Sequence, residues 1–281
     1  MKVLVIGATG VLGRHVVPRL LERGHEVHAT STQPQSVERL GRIGASAFRA
    51  DILDSGSLRE AAKGCDVALH LATRIPRAGS GSRDFTLNDR IRREGTANLI
   101  DVSRDAGIRR YVQQSISFIY GDHGDEWIDE DAKVVADPSS AIVVMEDLVR
   151  GSGLDWCILR GAAFYGPTTG RDGAWAAAAR DGSLMIPGEG TAFTSLIQEI
   201  DAARAFVMAA ESAPAGSTYH VTDDEPVRYG DLFRHIAAVG DGPEPGTGGK
   251  PVPASQRVSN ARIKDAIGWQ PLFPTYRSGL T

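Results

Sequence analysis

Apolar and polar positions alternate in a regular order along the first 160 residues. Short apolar runs rich in Val, Ile and Leu predict strands near residues 2–6, 26–30, 46–49, 67–71, 110–115 and 156–160. Longer amphipathic stretches between these runs predict helices. The run at residues 67–71 is apolar almost throughout, as expected for a strand that helices cover on both faces. We therefore predict an α/β fold with a doubly wound parallel sheet.

The regular alternation of strands and helices ends after the sixth predicted strand. Shorter elements follow, namely a helix near 199–210, a strand near 217–221 and helices near 229–239 and 260–267. We predict a first domain over residues 1–166 and a smaller second lobe over residues 167–281, with elements near 194–221 that can return to the first domain. Residues 240–253 are almost all glycine, proline or polar. Such a segment buries too little apolar area to offset its chain entropy, so we predict a mobile surface loop there.

Composition narrows the classes of partner. With 42% hydrophobic residues, 23% charged residues and a formal net charge of −4, the chain fits neither disorder nor a nucleic-acid or membrane surface. A small molecule is the expected partner. Cys65 and Cys157 each lie in an apolar run, so we expect no disulfide framework and no metal site. No long apolar segment is present, and we expect a cytoplasmic protein.

A glycine-rich loop follows the first predicted strand and opens an amphipathic helix. Its sequence, GATGVLG at residues 7–13, has the spacing of a dinucleotide-binding turn. Gly7 permits the tight turn, Gly10 lets the backbone approach a pyrophosphate, and Gly13 lets the helix pack on the strand. The helix amino terminus offers free N–H donors to the anion. The predicted contacts of this loop are Gly7, Thr9, Gly10, Val11, Leu12 and Gly13.

The end of the second strand bears on the choice of dinucleotide. NAD-binding proteins place an acidic residue there to hold the ribose 2′-hydroxyl, and residues 27–37 contain none. Ser31 and Thr32 can donate hydrogen bonds to a 2′-phosphate, and Arg14 can add positive charge. We therefore favour NADP(H) over NAD(H). Arg14 fits a solvated helix side chain equally well.

Several further motifs resemble those of the extended short-chain dehydrogenases, the NAD-dependent epimerase/dehydratase family. They are ADILD at residues 50–54, HLAT at 70–73, SISFIYG at 115–121, FYGP at 164–167, GWQP at 268–271 and SGL at 278–280. The resemblance covers nearly the whole chain and implies a Rossmann fold. It also implies that Asp51 and Ile52 lie at the adenine and that Leu71, Ala72 and Thr73 run along the cofactor.

At the catalytic positions, this chain differs from the family that it resembles. The family uses a Tyr-x-x-x-Lys pair, assisted by Ser or Thr and often by Asn, to exchange a proton with the substrate oxygen. No tyrosine of this chain has a lysine four residues later. The matching positions hold Pro138 for tyrosine, Ile142 for lysine, Ile116 for the hydroxyl residue and Arg92 for asparagine. A shift of one residue would instead bring Ser115 or Ser117 to the hydroxyl position.

Other side chains are candidates to replace the missing groups. Tyr120 and His123 follow the fifth strand, and Asp125 is placed to orient His123, although a solvated polar loop is the simpler interpretation. Tyr165 precedes the Gly-Pro turn and, like Tyr120, fits a packing role as well. Arg92 can anchor a substrate anion or lie on a helix surface. Farther along, Arg171 and Trp175 can contact an anionic or aromatic group.

Three functions remain open at this point. The first is an NADPH-dependent oxidoreductase that acts on a small carbonyl compound or natural product with an unusual proton donor. The second is a non-redox cyclase, dehydratase or isomerase that uses the same pocket. The third is a non-catalytic sensor or subunit that binds NADP(H). The resemblance also makes a homodimer plausible, since many relatives pair through the helices after strands four and five.

Overall fold

A computed structural model describes residues 1–76 and 84–280. The strands are β1 (Lys2–Ile6), β2 (Glu26–Ser31), β3 (Ser46–Arg49), β4 (Val67–His70), β5 (Arg110–Ile116), β6 (Trp127–Ile128), β7 (Asp155–Gly161), β8 (Ala163–Tyr165), β9 (Met185–Pro187), β10 (Phe193–Thr194), β11 (Leu196–Gln198), β12 (Ser217–Val221), β13 (Val227–Arg228), β14 (Gly246–Gly249) and β15 (Arg257–Val258).

The helices alternate with these strands through the first part of the chain. They are α1 (Gly13–Glu22), α2 (Pro34–Arg42), α3 (Ser55–Ala62), α4 (Thr86–Arg90), a π-helical turn (Ile91–Gly95), α5 (Thr96–Asp105), α6 (Ala141–Arg150), α7 (Arg171–Arg180), α8 (Glu199–Ser212), α9 (Tyr229–Val239), α10 (Ala261–Ile267) and α11 (Tyr276–Gly279).

The central sheet of the described residues contains seven strands in the order β12-β7-β5-β4-β1-β2-β3. Every neighbouring pair in it runs parallel. The chain moves outward from β1 to β3 and then returns to place β4 on the other side of β1. Ligands of doubly wound sheets bind at the carboxyl ends of the strands beside such a reversal. The predicted doubly wound α/β fold is therefore confirmed.

Strand residues point alternately to two helical layers. Val3 and Val5 of β1 pack in the core beneath α1 and α8, whereas Leu4 and Ile6 pack on the opposite side with residues of α3 and α5. All four side chains are almost fully buried. This two-sided burial explains the continuous apolar runs that the sequence shows, because neither face of a central strand meets water.

The later part of the chain contributes to both regions. β12 forms the edge strand of the central sheet, in register with β7, and α8 packs in the core on one face. α7, α9 and α11 share a separate apolar cluster that contains Leu184, Leu232 and Tyr276. The division into two domains at residue 166 stays a prediction.

The glycine-rich segment near residue 246 is more ordered than its composition predicts. β14 pairs in parallel with β9, and the amide of Gly188 donates to the carbonyl of Gly249 at 2.9 Å. A Cβ on Gly249 would lie 3.0 Å from the carbonyl oxygen of Met185, so the close approach of the two strands requires glycine there. The prediction of a mobile loop over the whole of residues 240–253 is wrong for this part.

Neither a membrane span nor a metal cluster occurs in the described ranges. No helix there is long and apolar enough to cross a membrane. No three His, Cys, Asp or Glu side chains of residues 1–76 and 84–280 are arranged to hold a metal ion. Cys65 and Cys157 are buried free thiols.

Candidate functional site

The glycine loop and the segment after β4 meet at the carboxyl edge of the sheet. Gly7 has a φ of +84°, and a Cβ built on it would lie 2.7 Å from the amide nitrogen of Ala72. A Cβ on Gly13 would lie 2.2 Å from the carbonyl oxygen of Gly7. Both positions therefore accept only glycine, for the reasons of turn geometry and helix packing that the motif predicts. The contact brings Leu71 and Ala72 beside the loop.

Gly10 differs from its two neighbours because it faces open space. A Cβ there would meet only the carbonyl oxygen of Gly7, at 3.3 Å. The amides of Val11, Leu12 and Gly13 donate to no backbone carbonyl of the described residues. These free donors, the open approach at Gly10 and the amino terminus of α1 together form a cradle that fits a pyrophosphate.

The end of β2 is flanked by cations. Ser31 lies in register with Arg49 of β3. Two residues earlier on each strand, Ala29 and Ala47 contact the core on the α1 side, so Ser31 and Arg49 project toward the same side. Arg14 at the start of α1 is exposed, with its Nε 3.3 Å from the carbonyl oxygen of Gly10.

Arg49 is a candidate that sequence reasoning missed. The exposed Thr32 follows Ser31 directly, and the Ser31 hydroxyl accepts the amide of Gln33 at 3.2 Å. A phosphate on an adenosine ribose at this strand end would meet Arg49 as well as Arg14. The sequence alone gave no signal for Arg49, because only the register of β3 with β2 places it beside Ser31.

The remaining predicted cofactor contacts line the next part of the edge. Asp51 is exposed, and its Oδ1 accepts the amide of Leu53 at 2.9 Å, which fixes the turn after β3. The side chain of Ile52 is buried, and its carbonyl accepts Asn98 Nδ2 at 3.0 Å. Thr73 is exposed beyond the end of β4. The contact of these residues with a dinucleotide stays a prediction.

An apolar cluster surrounds the two positions that the resemblance matches to the family's lysine and hydroxyl residues. Ile142 is buried in α6 and shares this cluster with Ile119 and Met145, and Ile116 at the end of β5 packs against it. Pro138 is exposed before α6 begins. The two positions that resemblance assigned to a hydroxyl and a lysine thus hold aliphatic side chains that belong to one cluster.

Ser115 is committed to a buried ion pair. Its hydroxyl donates to Oε1 of Glu146 at 2.6 Å, and Arg160 donates to both oxygens of the same carboxylate. Burial raises the pKa of Glu146, but the hydrogen bond and charge of Arg160 outweigh that effect and leave the pKa below its ordinary value. Ser117 is also buried, and its amide donates to the carbonyl of Gly161 at 3.0 Å.

Tyr120 extends this buried network. Its hydroxyl accepts a hydrogen bond from Arg160 and lies 2.6 Å from Nε2 of His220. Burial lowers the pKa of His220 to about 3, so its ring is neutral and Nε2 accepts the phenol proton. Burial also raises the pKa of Tyr120 to about 12. A phenol that is buried and bonded on both sides fits a structural role.

Tyr165 lies in the apolar cluster that also contains Leu184, Leu232 and Tyr276. Its side chain has no solvent exposure, and a Cβ on Gly279 would meet its hydroxyl oxygen at 2.1 Å. Burial, with the nearby carboxylates of Asp223 and Asp201, raises the pKa of this phenol. The phenol therefore packs against the carboxyl-terminal segment, which speaks against a role as proton donor.

His123 is not oriented by Asp125 as the sequence suggested. Asp125 accepts two hydrogen bonds from Nη2 of Arg228, at 3.2 and 3.0 Å. The loop is held by other contacts as well, because the Arg257 guanidinium lies 4.5 Å from the Trp127 ring centroid. The amide of His123 donates to the carbonyl of Ser255 at 3.0 Å. The expected His123–Asp125 pair is wrong, since the carboxylate satisfies a nearby cation instead.

Arg92 lies on the π-helical turn between α4 and α5. Its side chain is partly buried, and burial lowers the pKa of the guanidinium despite the nearby carboxylate of Asp89. No carboxylate of the described residues forms an ion pair with it. Single π-helical turns occur frequently at functional sites. Arg92 remains a candidate for binding a substrate anion.

Comparison with known proteins agrees with this arrangement. A family model described as NAD(P)H-binding matches residues 7–192. A 3-diazoavenalumate denitrifying reductase from a Streptomyces species is 34% identical over an alignment of 308 residues, which covers 100% of this chain and 99% of that protein. A 4-hydroxy-2-methyl-3-oxo-4-farnesyl-3,4-dihydroquinoline-1-oxide ketoreductase from Stigmatella aurantiaca is 26% identical, covering 81% and 70% of the two chains.

Solved structures with the same fold include two nucleotide-sugar enzymes. UDP-glucose 4-epimerase from Thermotoga maritima superposes with a TM-score of 0.82 and 21% identity, over 100% of this chain and 96% of the other. dTDP-glucose 4,6-dehydratase from Bacillus anthracis, solved with NAD, gives a TM-score of 0.83 and 16% identity, over 100% and 94%. At this identity the likeness concerns the fold alone.

Proposed function

We propose that this chain, which belongs to the NAD(P)H-binding family of the short-chain dehydrogenase and epimerase/dehydratase type, is an NADPH-dependent reductase whose reaction takes no proton from the protein. The family membership rests on the match over residues 7–192 and on the full-length similarity to a reductase. The absence of a proton requirement is our inference from the site.

The apolar cluster around Ile142 is the observation that carries this proposal. Reduction of a carbonyl leaves an oxyanion that needs a positioned acid. Here Ile116 and Ile142 occupy the relevant positions, while the nearby hydroxyls of Ser115 and Tyr120 are bonded inside the protein. Aliphatic side chains at these positions cannot supply a proton. They suit a substrate that accepts hydride and completes its reaction by losing a neutral group.

An aryl diazonium compound has this property. NADPH, when bound, would supply the hydride for a new C–H bond at the ring carbon, and the C–N bond would break with its electron pair leaving in dinitrogen. The two electrons of the hydride would reduce the ring carbon, and the exchange would take up no proton. The Streptomyces relative is described as a denitrifying reductase of a diazo-substituted carboxylic acid, which supports this substrate class.

The protein's own contribution is to bind, orient and exclude water. The free amides of Val11, Leu12 and Gly13 would hold the pyrophosphate. Arg14 and Arg49, with the hydroxyls of Ser31 and Thr32, support selection of the 2′-phosphate and hence of NADPH. The aliphatic cluster would keep water from the diazonium carbon, where attack by water would give a phenol instead of the reduced ring.

Carbonyl reduction is the second candidate function. The ketoreductase relative favours it, since that protein is similar over 81% of this chain. It would require a proton from water or from a residue such as His123. The full-length similarity to a reductase favours either redox function over a non-redox enzyme or a sensor.

A substrate comparison separates the two candidates. The purified protein is mixed with NADPH and either the 3-diazonium derivative of cinnamate or the matching 3-acetyl ketone, and NADPH oxidation and dinitrogen release are followed. We expect one dinitrogen per NADPH with the diazonium compound and no oxidation with the ketone. Turnover of the ketone alone would reject our proposal in favour of carbonyl reduction.

A further inference from the structure

Arg171 begins α7, directly after the turn that leaves β8, and has no ionic partner among the described residues. The guanidinium carbon of Arg171 lies 5.5 Å from the ring centroid of Trp175, one helical turn later. The turn before it is fixed by Thr168, whose hydroxyl donates to Glu199 at 2.5 Å, and by Thr169, whose hydroxyl accepts the Arg171 amide at 3.0 Å. Arg171 is therefore held in place by its backbone, and its guanidinium forms no ion pair with the part of the chain that the structure describes.

Three aromatic rings from two helices form a wall beside this cation. Trp175 of α7 and Phe233 of α9 have ring centroids 6.3 Å apart, and Tyr229 lies 6.0 Å from Phe233. Both contacts are inclined by 60°, a favourable arrangement for aromatic pairs. All three rings are only partly buried. They present a semi-exposed apolar surface next to a positive charge.

No carboxylate of residues 1–76 and 84–280 forms an ion pair with Arg171. Burial lowers the pKa of its guanidinium, against the opposing effects of Tyr229 and Asp172. The Asp172 carboxylate accepts the amide of Gly166 at 2.9 Å and forms no ion pair with Arg171. A partly desolvated cation without a counter-ion is costly. Arg160, by contrast, is buried with a complete partner in Glu146.

We propose that Arg171 binds the carboxylate of the substrate and that Trp175, Phe233 and Tyr229 line the space for its conjugated apolar part. A guanidinium matches a carboxylate in a two-point hydrogen bond, and the adjacent rings favour a flat unsaturated chain or ring. The inference rests on the proposed function and narrows its substrates to aromatic carboxylic acids. It assigns specificity, not hydride transfer, to α7 and α9.

Binding of an unreactive acid tests this assignment without turnover. The probe is 4-hydroxycinnamate, compared with 4-hydroxycinnamamide, titrated by calorimetry into the protein saturated with NADP⁺. The variants are Arg171→Gln and, as matched control, Arg180→Gln, which removes an exposed positive charge from the other end of the same helix. Arg171→Lys keeps the charge but loses the two-point geometry.

We expect wild type and Arg180→Gln to bind the acid at least about tenfold more tightly than the amide, because charge-assisted bonds are worth that much. Arg171→Gln should lose this preference without change in NADP⁺ affinity, and Arg171→Lys should fall between. An equal preference in wild type and Arg171→Gln, or none in wild type, would overturn the inference. Failure of the proposed function would show separately, as no dinitrogen release from the diazonium compound in the substrate comparison.

Discussion

Arg160 and Glu146 form a two-point ion pair inside the protein. Arg160 Nε lies 3.0 Å from Oε1 of Glu146 and Nη2 lies 2.6 Å from Oε2, with side-chain exposures of 4% and 3%. The pair joins β7 to α6, and Ser115 connects it to β5. It therefore fixes the helix that carries Ile142 against the carboxyl end of the sheet. The polar side chains of Arg160, Glu146 and Ser115 thus hold the framework of the proposed site together.

Replacement of Glu146 by glutamine should destabilise the protein strongly. The change leaves the Arg160 charge buried without a full partner, and breaking such a pair costs about 3–5 kcal/mol. Urea unfolding measures the change. The control is Asp147→Asn on the exposed side of the same helix, which should cost no more than about 1 kcal/mol. Equal losses in the two variants would show that the buried pair contributes little.

Glu146 should also shape the stability of the protein in acid. Its pKa in the folded protein lies below the ordinary 4.5, since Arg160 and Ser115 outweigh the effect of burial. The carboxylate therefore contributes stability above the unfolded pKa, and this contribution is lost as pH falls through the folded pKa. The unfolding free energies of wild type and Glu146→Gln should therefore converge as the pH falls below 4.5 and through the lower pKa of the folded protein. A gap that stays constant as the pH falls would contradict the assignment.

Substitutions at two glycines of the loop should affect different properties, one cofactor binding and the other folding. Gly10→Ala places a methyl group in the open cradle, where its protein contact is a carbonyl at 3.3 Å, so the variant should fold and lose at least about tenfold in dinucleotide affinity. Gly13→Ala would put its Cβ 2.2 Å from the Gly7 oxygen and should be destabilised. Thermal unfolding and calorimetric titration distinguish the two effects. Full dinucleotide affinity in Gly10→Ala would mean that the phosphates lie elsewhere.

Arg49 should contribute to the choice between NADPH and NADH. Removal of its charge in Arg49→Gln should weaken NADPH about tenfold and leave NADH unchanged, because only NADPH carries the 2′-phosphate. Arg59→Gln on α3, whose exposed side chain pairs with Asp105, serves as the control. If Arg49→Gln lowers the affinities for NADPH and NADH equally, Arg49 does not bind the 2′-phosphate.

Local patterns in the sequence were sufficient for the central sheet. The predicted strand near 217–221 and the helix near 229–239 match β12 and α9, since each is a self-contained apolar pattern. The short pair of β9 and β14 was missed because its partners are distant in the chain and one is nearly all glycine. Pairing of that kind leaves no periodic signal in either strand.

The site was predictable where one segment supplies all its atoms. The glycine loop meets this condition, and its turn and packing roles could be read from spacing alone. The Arg160–Glu146 pair and the Arg228–Asp125 pair join residues 14 and 103 positions apart, so no local pattern indicates them. The Arg160–Glu146 pair binds the Ser115 hydroxyl, so that hydroxyl is not available for catalysis. The Arg228–Asp125 pair holds the Asp125 carboxylate, so it does not orient His123. Arg49 became a candidate only through its register with Ser31.

Isotope transfer tests the central claim most directly. NADPH deuterated at both C4 positions is reacted with the 3-diazonium derivative of cinnamate in ordinary water, and unlabelled NADPH is reacted with the same compound in D₂O. We predict one deuterium at the ring carbon that carried nitrogen in the first reaction and none in the second, with one dinitrogen released per NADPH. Deuterium from D₂O at that carbon, or oxidation of NADPH without dinitrogen release, would contradict a proton-independent hydride transfer.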